Sequence, residues 1–185
     1  MRELETRVVD IDVDKIRKIL KDLGAEKVKE EYQTNNIYDF DDNRLLNAKG
    51  YARIRITDDR LNNKEVVYMT TKKMLSQDTF KVMEENEVIV DNKEMARKIF
   101  ISLGLKLQES ISKYRESYKI HDSLVEIDIN DKSFCPFPYL EIETTSIEKL
   151  EEIVKLLGYT LEDTTSQTIY DILAERGIKG KTKGR

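Results

Sequence analysis

The sequence predicts an α+β protein, mainly antiparallel β. A closed barrel of roughly eight strands forms a tunnel, with helices packed on its outside. Three observations point there. Most of the chain alternates apolar and polar residues with period two, as strands with two unlike faces do. Amphipathic helical segments interrupt the alternation and end at glycines. Several strands set like charges next to one another on one face, an arrangement that an enclosed lumen explains better than an open sheet.

The elements follow in order. Residues 3–10 read as a strand. Residues 14–23 read as a helix with Ile16, Ile19, Leu20 and Leu23 on one side. Strands are expected at 31–40, 51–57, 65–72 and 80–90, then a helix at 93–103 with Ala96, Ile99, Phe100 and Leu103 inward. Strands at 111–120, 124–129 and 139–144 precede a third helix at 147–157, N-capped by Ser146. These three helices end at Leu23-Gly24, Leu103-Gly104 and Leu157-Gly158. A fourth spans about 166–176 and stops at Gly177. Residues 26–30, 106–109 and 160–162 are short extra strands or strand starts. The chain reads as one domain over 1–177, with a short basic tail over 178–185 that carries Lys179, Lys181, Lys183 and Arg185.

Composition narrows the functional classes. The 185 residues are 37% charged and 39% hydrophobic, enough to bury a core. The net charge of −4 argues against a general nucleic-acid binder, which should be basic. The chain lacks an apolar leader run and a membrane-length apolar stretch, so the expectation is a cytoplasmic protein with no membrane partner. The single cysteine, Cys135, lies in a rigid loop between Phe134 and Pro138 and has no histidine near it in sequence. The single histidine, His121, reads as a hairpin turn residue.

The chemistry lies in the strand faces. Side chains two apart share a face. Glu3, Glu5 and Arg7 therefore stand together, as do Arg53 with Arg55, Lys113 with Arg115, Glu126 with Asp128, and Glu141 with Glu143. Lys72 ends another strand, and Lys81, Glu85 and Glu87 lie along a further one. Neighbouring like charges repel unless each meets a counter-ion: divalent metal for the acids, phosphate for the bases.

These motifs, in this order, resemble the CYTH superfamily of class IV adenylyl cyclases, thiamine triphosphatases and inorganic triphosphatases. Glu3-Leu4-Glu5-Thr6-Arg7 is similar to its E-x-E-x-K signature. Gln33 to Asp39, Gly50 to Arg55, Thr70-Thr71-Lys72, Lys113-Tyr114-Arg115, Glu126-Ile127-Asp128 and Tyr139 to Glu143 are similar to later family motifs. The resemblance implies that Arg53, Arg55, Lys72, Lys113, Arg115 and Lys81 hold a triphosphate-bearing small molecule. It implies that Glu3, Glu5, Asp128, Glu141 and Glu143 hold Mg2+ or Mn2+, with Glu85, Glu87 and Glu126 as further acidic candidates. Glu3, Glu5, Arg7 and Lys72 would act in catalysis. Arg7 stands where the signature has Lys, which keeps the charge but removes a titratable amine. The activity implied is metal-dependent triphosphate hydrolysis. Cyclisation of ATP to cyclic AMP and pyrophosphate, and binding without turnover, stay open, as does a homodimer.

Overall fold

In the computed structural model, residues 2–77 and 81–178 are described. Eight strands make one antiparallel sheet: β1 Arg2–Val9, β2 Glu26–Asp39, β3 Tyr51–Asp59, β4 Lys64–Gln77, β5 Lys81–Val90, β6 Lys106–Ile120, β7 Ser123–Asn130 and β8 Tyr139–Thr144. The sheet closes on itself in the order β1-β5-β4-β3-β2-β6-β7-β8. Every neighbouring pair is antiparallel, and β1 is held by β5 on one side and β8 on the other.

Sequence and structure differ mainly in strand length. The expected strand starts at 26–30 and 106–109 merge with their neighbours into the 14-residue β2 and the 15-residue β6. Register shifts between Lys27 and Lys29 and between Ile37 and Tyr38 let this long pair bend around the barrel. Residues 160–162 do not form a strand. Thr160 and Asp163 make a capping box that winds Leu161–Asp163 into a 3₁₀ turn instead. Thr165, just beyond it, forms an isolated antiparallel bridge with Arg7. Phe80 and the basic tail from Lys179 onward lie outside the described residues.

The helices are α1 Val13–Asp22, α2 Arg44–Asn47, α3 Lys93–Ser102, α4 Ile147–Leu156 and α5 Ile169–Glu175. Ser146 caps α4 as expected, and Asp12, Asn92 and Thr168 cap α1, α3 and α5. Gly24, Gly104, Gly158 and Gly177 all adopt positive φ just past a helix, as their spacing predicted. The one-turn α2 was not foreseen; the Asp39 carboxylate holds its start by accepting from the Leu45 and Leu46 amides.

Apolar strand faces point outward beneath these helices. Ile16 and Leu20 of α1 and Leu150, Ile153 and Val154 of α4 pack on Val8, Val125, Ile127, Leu140 and Ile142. Ala96 and Phe100 of α3 cover Tyr38, Ala52, Ile54 and Val67. A third cluster joins α5, through Ile172 and Leu173, to Phe134, Cys135 and Phe137 of the proline loop and to the lumen-facing Ile111 and Tyr139. Helices on the outside free the inside for charge. No helix of the described residues is long and apolar enough to cross a membrane.

Candidate active site in the barrel lumen

Alternation along the strands delivers the charged residues to one cavity of about 1370 Å³. Glu5, Arg7, Arg53, Arg55, Lys72, Glu85, Glu87, Lys113, Arg115, Glu126, Glu141 and Glu143 all border it. The strand order sets their relative positions. β3 and β4, which carry Arg53, Arg55 and Lys72, stand four places round the barrel from β8 and β7, which carry Glu141, Glu143 and Glu126. Cations therefore face carboxylates across the lumen. Glu3 and Lys81 belong to β1 and β5, but their side chains lie outside the described residues.

Among the acids, the oxygens of Glu126, Glu141 and Glu143 converge to within 4.8 Å of one another. The β7–β8 register produces this, because Glu126 is paired directly with Glu141. Burial, with Glu126 and Glu141 alongside, pushes the Glu143 carboxyl up to about 8. An oxygen-only donor set crowded in this way suits a hard divalent cation. Asp128 lies elsewhere in the network. It is fully buried and accepts from Lys113 Nζ at 2.7 Å and from Arg115 Nε and Nη2 at 2.6 Å. Its neighbours offset the cost of burial and hold its pKa below the ordinary range. Glu126, which sequence reasoning ranked below Asp128, takes part in the converging cluster, while Asp128 orients two bases.

The bases are pre-arranged by the same acids. Arg115 pairs with Glu126, Asp128 and Glu141. Lys72 lies 3.0 Å from Glu85 and 3.4 Å from Glu5. Burial would lower the Lys72 pKa, but Tyr51, Glu5 and Glu85 more than offset it, so the amine stays charged. Arg55 lies 3.0 Å from Glu87, which also accepts from Thr70 at 2.7 Å. The Nε groups of Arg53 and Arg55 are buried without a hydrogen-bond partner among the described residues. Such donors are costly to leave unmet.

Arg7 links three parts of the chain. Its Nη1 donates to the Gln167 carbonyl at 2.9 Å, and its Nη2 donates to Glu5 at 3.1 Å and to Glu141. Burial opposes its charge, but Glu141 and Glu5 raise its pKa beyond any ordinary titration. His121, at φ 51°, lies in the exposed β6–β7 turn, far from the lumen in register. Cys135 is buried and donates to the Phe137 carbonyl at 3.3 Å. Sequence reasoning missed Tyr139, Glu109 and Tyr170. Tyr139 and Glu109 fall on lumen positions of strands already read, so the alternation held the signal; Tyr170 comes from α5, whose placement it could not give.

Together the fold and lumen define a class: a closed antiparallel tunnel lined by interleaved acids and bases. The chain belongs to the CYTH family, whose domain model matches residues 1–169. A Methanocaldococcus jannaschii protein named a "putative adenylate cyclase" is 32% identical over 162 residues, covering 88% of this chain and 87% of that protein. The Pyrococcus horikoshii protein PH1819 superposes with a TM-score of 0.78 at 22% identity, covering 94% of this chain and 99% of that one. A Hippeastrum protein described as a "putative adenylyl cyclase" with a dominant triphosphatase activity gives a TM-score of 0.65 at 16% identity, covering 100% and 99%. At these identities the two structural likenesses establish the fold.

Proposed function

We propose that the chain is a divalent-metal-dependent triphosphatase acting inside the tunnel. The observation that carries this reading is the pairing of a carboxylate cluster, Glu126, Glu141 and Glu143, with Arg53, Arg55 and Lys72 on the opposing wall of one cavity. Arg53, Arg55, Lys72, Lys113 and Arg115 hold the triphosphate oxygens and neutralise charge as the bridging P–O bond breaks. Glu126, Glu141 and Glu143 hold Mg2+ or Mn2+, with Glu5 beside them. A cation there supplies charge neutralisation and orientation of the phosphoryl group. Arg7 and Lys72 remain protonated, so neither takes a proton from the attacking water. Their part is to fix the carboxylates and the anion.

Binding in this tunnel is an exchange of partners. The lumen acids and bases already neutralise each other, and substrate and metal replace those pairs with stronger, multivalent ones. The second reading, cyclisation of ATP, is favoured by the name of the 32% identical archaeal relative. The test is incubation with tripolyphosphate and with ATP, each with Mg2+ or Mn2+. Orthophosphate release without cyclic AMP is the expected result. Cyclic AMP with pyrophosphate would replace this reading with the second, and binding without turnover would make the protein a sensor.

A further inference from the structure

The segment that follows α4 returns to the tunnel and forms one edge of its mouth. Thr165 is bridged to Arg7 by backbone bonds of 3.0 and 2.9 Å, and its carbonyl also accepts from the Thr6 hydroxyl at 3.2 Å. Beyond it, Thr168, Ile169, Tyr170 and Asp171 border the cavity. The two sides of α5 are held differently. Away from the mouth, Ile172 and Leu173 are buried in the third apolar cluster, and the Arg176 guanidinium meets both oxygens of Asp10 at 3.0 and 2.7 Å. At the mouth the ties are polar. The Tyr170 hydroxyl donates to Glu109 at 2.9 Å, and Arg7 Nη1 donates to the Gln167 carbonyl at 2.9 Å. A polar edge of this kind opens locally at lower cost than a packed apolar face.

Arg7 belongs to the ionic lining as well. Its Nη2 donates to Glu5 at 3.1 Å and to Oε1 of Glu141, while Arg115 donates to Oε2 of Glu141 at 2.6 Å. Both oxygens of Glu141 are therefore engaged by arginines, and Glu141 is a member of the converging carboxylate cluster. A divalent cation and a guanidinium repel each other at one carboxylate, so filling the cluster must loosen one of the two arginines. Arg115 is anchored elsewhere, by two bonds of 2.6 Å to Asp128. Arg7 has the weaker second hold, its 3.1 Å bond to Glu5, and its other prong carries Gln167. We propose that Arg7 links cation loading at Glu141 to the docking of α5, so that residues 167–171 loosen when the cluster is filled. The inference rests on the metal reading of that cluster and adds a moving part to it. Arg7 stands where the family signature has Lys. A single ammonium lacks the fork that serves the cluster and the Gln167 carbonyl at once, so the linkage belongs to the arginine. The consequence is an order of binding: the cation enters past a docked α5, and the triphosphate past a loosened one.

The test is amide hydrogen exchange, followed by mass spectrometry, of the parent, Arg7→Lys and Tyr170→Phe, with and without saturating Mn2+ and with no anion present. In the parent, Mn2+ should slow exchange in the barrel strands by mass action. The amides of α5, such as that of Ile172 bonded to the Thr168 carbonyl at 3.1 Å, should instead exchange about tenfold faster, the scale of losing one hydrogen bond to a charged group. In Tyr170→Phe, which keeps Arg7 but lacks the tie to Glu109, the acceleration should be larger. In Arg7→Lys it should vanish while the strands still slow. Unchanged or slower exchange in α5 of the parent, beside slowed strands, overturns the inference and leaves the metal reading standing. So does an acceleration undiminished in Arg7→Lys or, should that variant not fold, one no larger in Tyr170→Phe. Strands that Mn2+ leaves unmoved overturn both.

Discussion

Arg7 shows how one side chain organises its surroundings. Its guanidinium is shared by Glu5, Glu141 and the Gln167 carbonyl while only 7% exposed. Arg7→Gln takes one cation from Glu5 and from Glu141, which keep Lys72 and Arg115, and should cost roughly 3 kcal/mol of stability. Arg7→Lys keeps the charge but loses the planar fork, and should cost less and retain most triphosphate binding. Chemical denaturation and calorimetric titration of the three proteins check the order; a Gln variant that binds like the parent would place Arg7 outside the functional network. For the acids, Glu141→Gln should weaken Mn2+ binding more than Asp128→Asn does. Glu141 belongs to the converging cluster, and both oxygens of Asp128 are engaged by Lys113 and Arg115. Direct metal titration decides between them. The Asp128 change should appear instead as a loss of triphosphate affinity, because Lys113 and Arg115 lose their anchor.

At the level of elements, the outside of β6 is fastened to α1 by a single carboxylate. Glu116, 2% exposed, accepts from Arg17 at 2.8 Å and from the hydroxyls of Tyr114 at 2.9 Å and Tyr118 at 2.7 Å. Burial works against its charge, but these donors, Arg17 foremost, hold its pKa down to about 2 from 4.5. A depressed carboxylate stabilises the fold above its unfolded pKa, and that contribution is lost as pH falls from about 4.5 through about 2. Glu116→Gln should therefore destabilise by about 2–3 kcal/mol at pH 7, and the gap from the parent should narrow steadily below pH about 4.5. Denaturation midpoints across that range measure it. Gly50 marks a second constraint. A Cβ there would lie 2.5 Å from the Lys72 carbonyl, so Gly50→Ala must push β3 from β4 beside two lumen cations. It should lower both melting temperature and triphosphate affinity, whereas Lys21→Ala on the exposed side of α1 should do neither.

For the whole molecule, the barrel and most of its ionic lining were legible because period-two alternation names the face of every residue. Arg53 with Arg55 and Glu141 with Glu143 needed nothing more. Alternation does not give height along the barrel, which depends on cross-strand register. That is why Glu126 was ranked below Asp128, although Glu126 is the one paired with Glu141. Nor does it place a terminal helix, so the part of the cavity wall built by Ile169 and Tyr170 was invisible. The closed lumen also predicts linkage: metal with a triphosphate should raise the melting temperature, by an amount that grows with ligand concentration. A melting curve unmoved at saturation would argue against a ligand-binding lumen.

The Arg7–Thr165 bridge has a consequence for the order in which the chain is made. Arg7 and Thr165 exchange backbone hydrogen bonds of 3.0 and 2.9 Å where β5 no longer flanks β1. β1 also waits for β8, the last strand of the sheet. On a ribosome, the first acids and Arg7 emerge more than a hundred residues before Glu141 and Thr165. For most of synthesis, Glu5 and Arg7 lack the far wall of their site. Closure is a late event of long sequence separation, and such contacts form slowly. A nascent chain stalled before β8 should therefore expose open strand edges to chaperones, and the anion site should come into being only once Glu141 and Glu143 have been added.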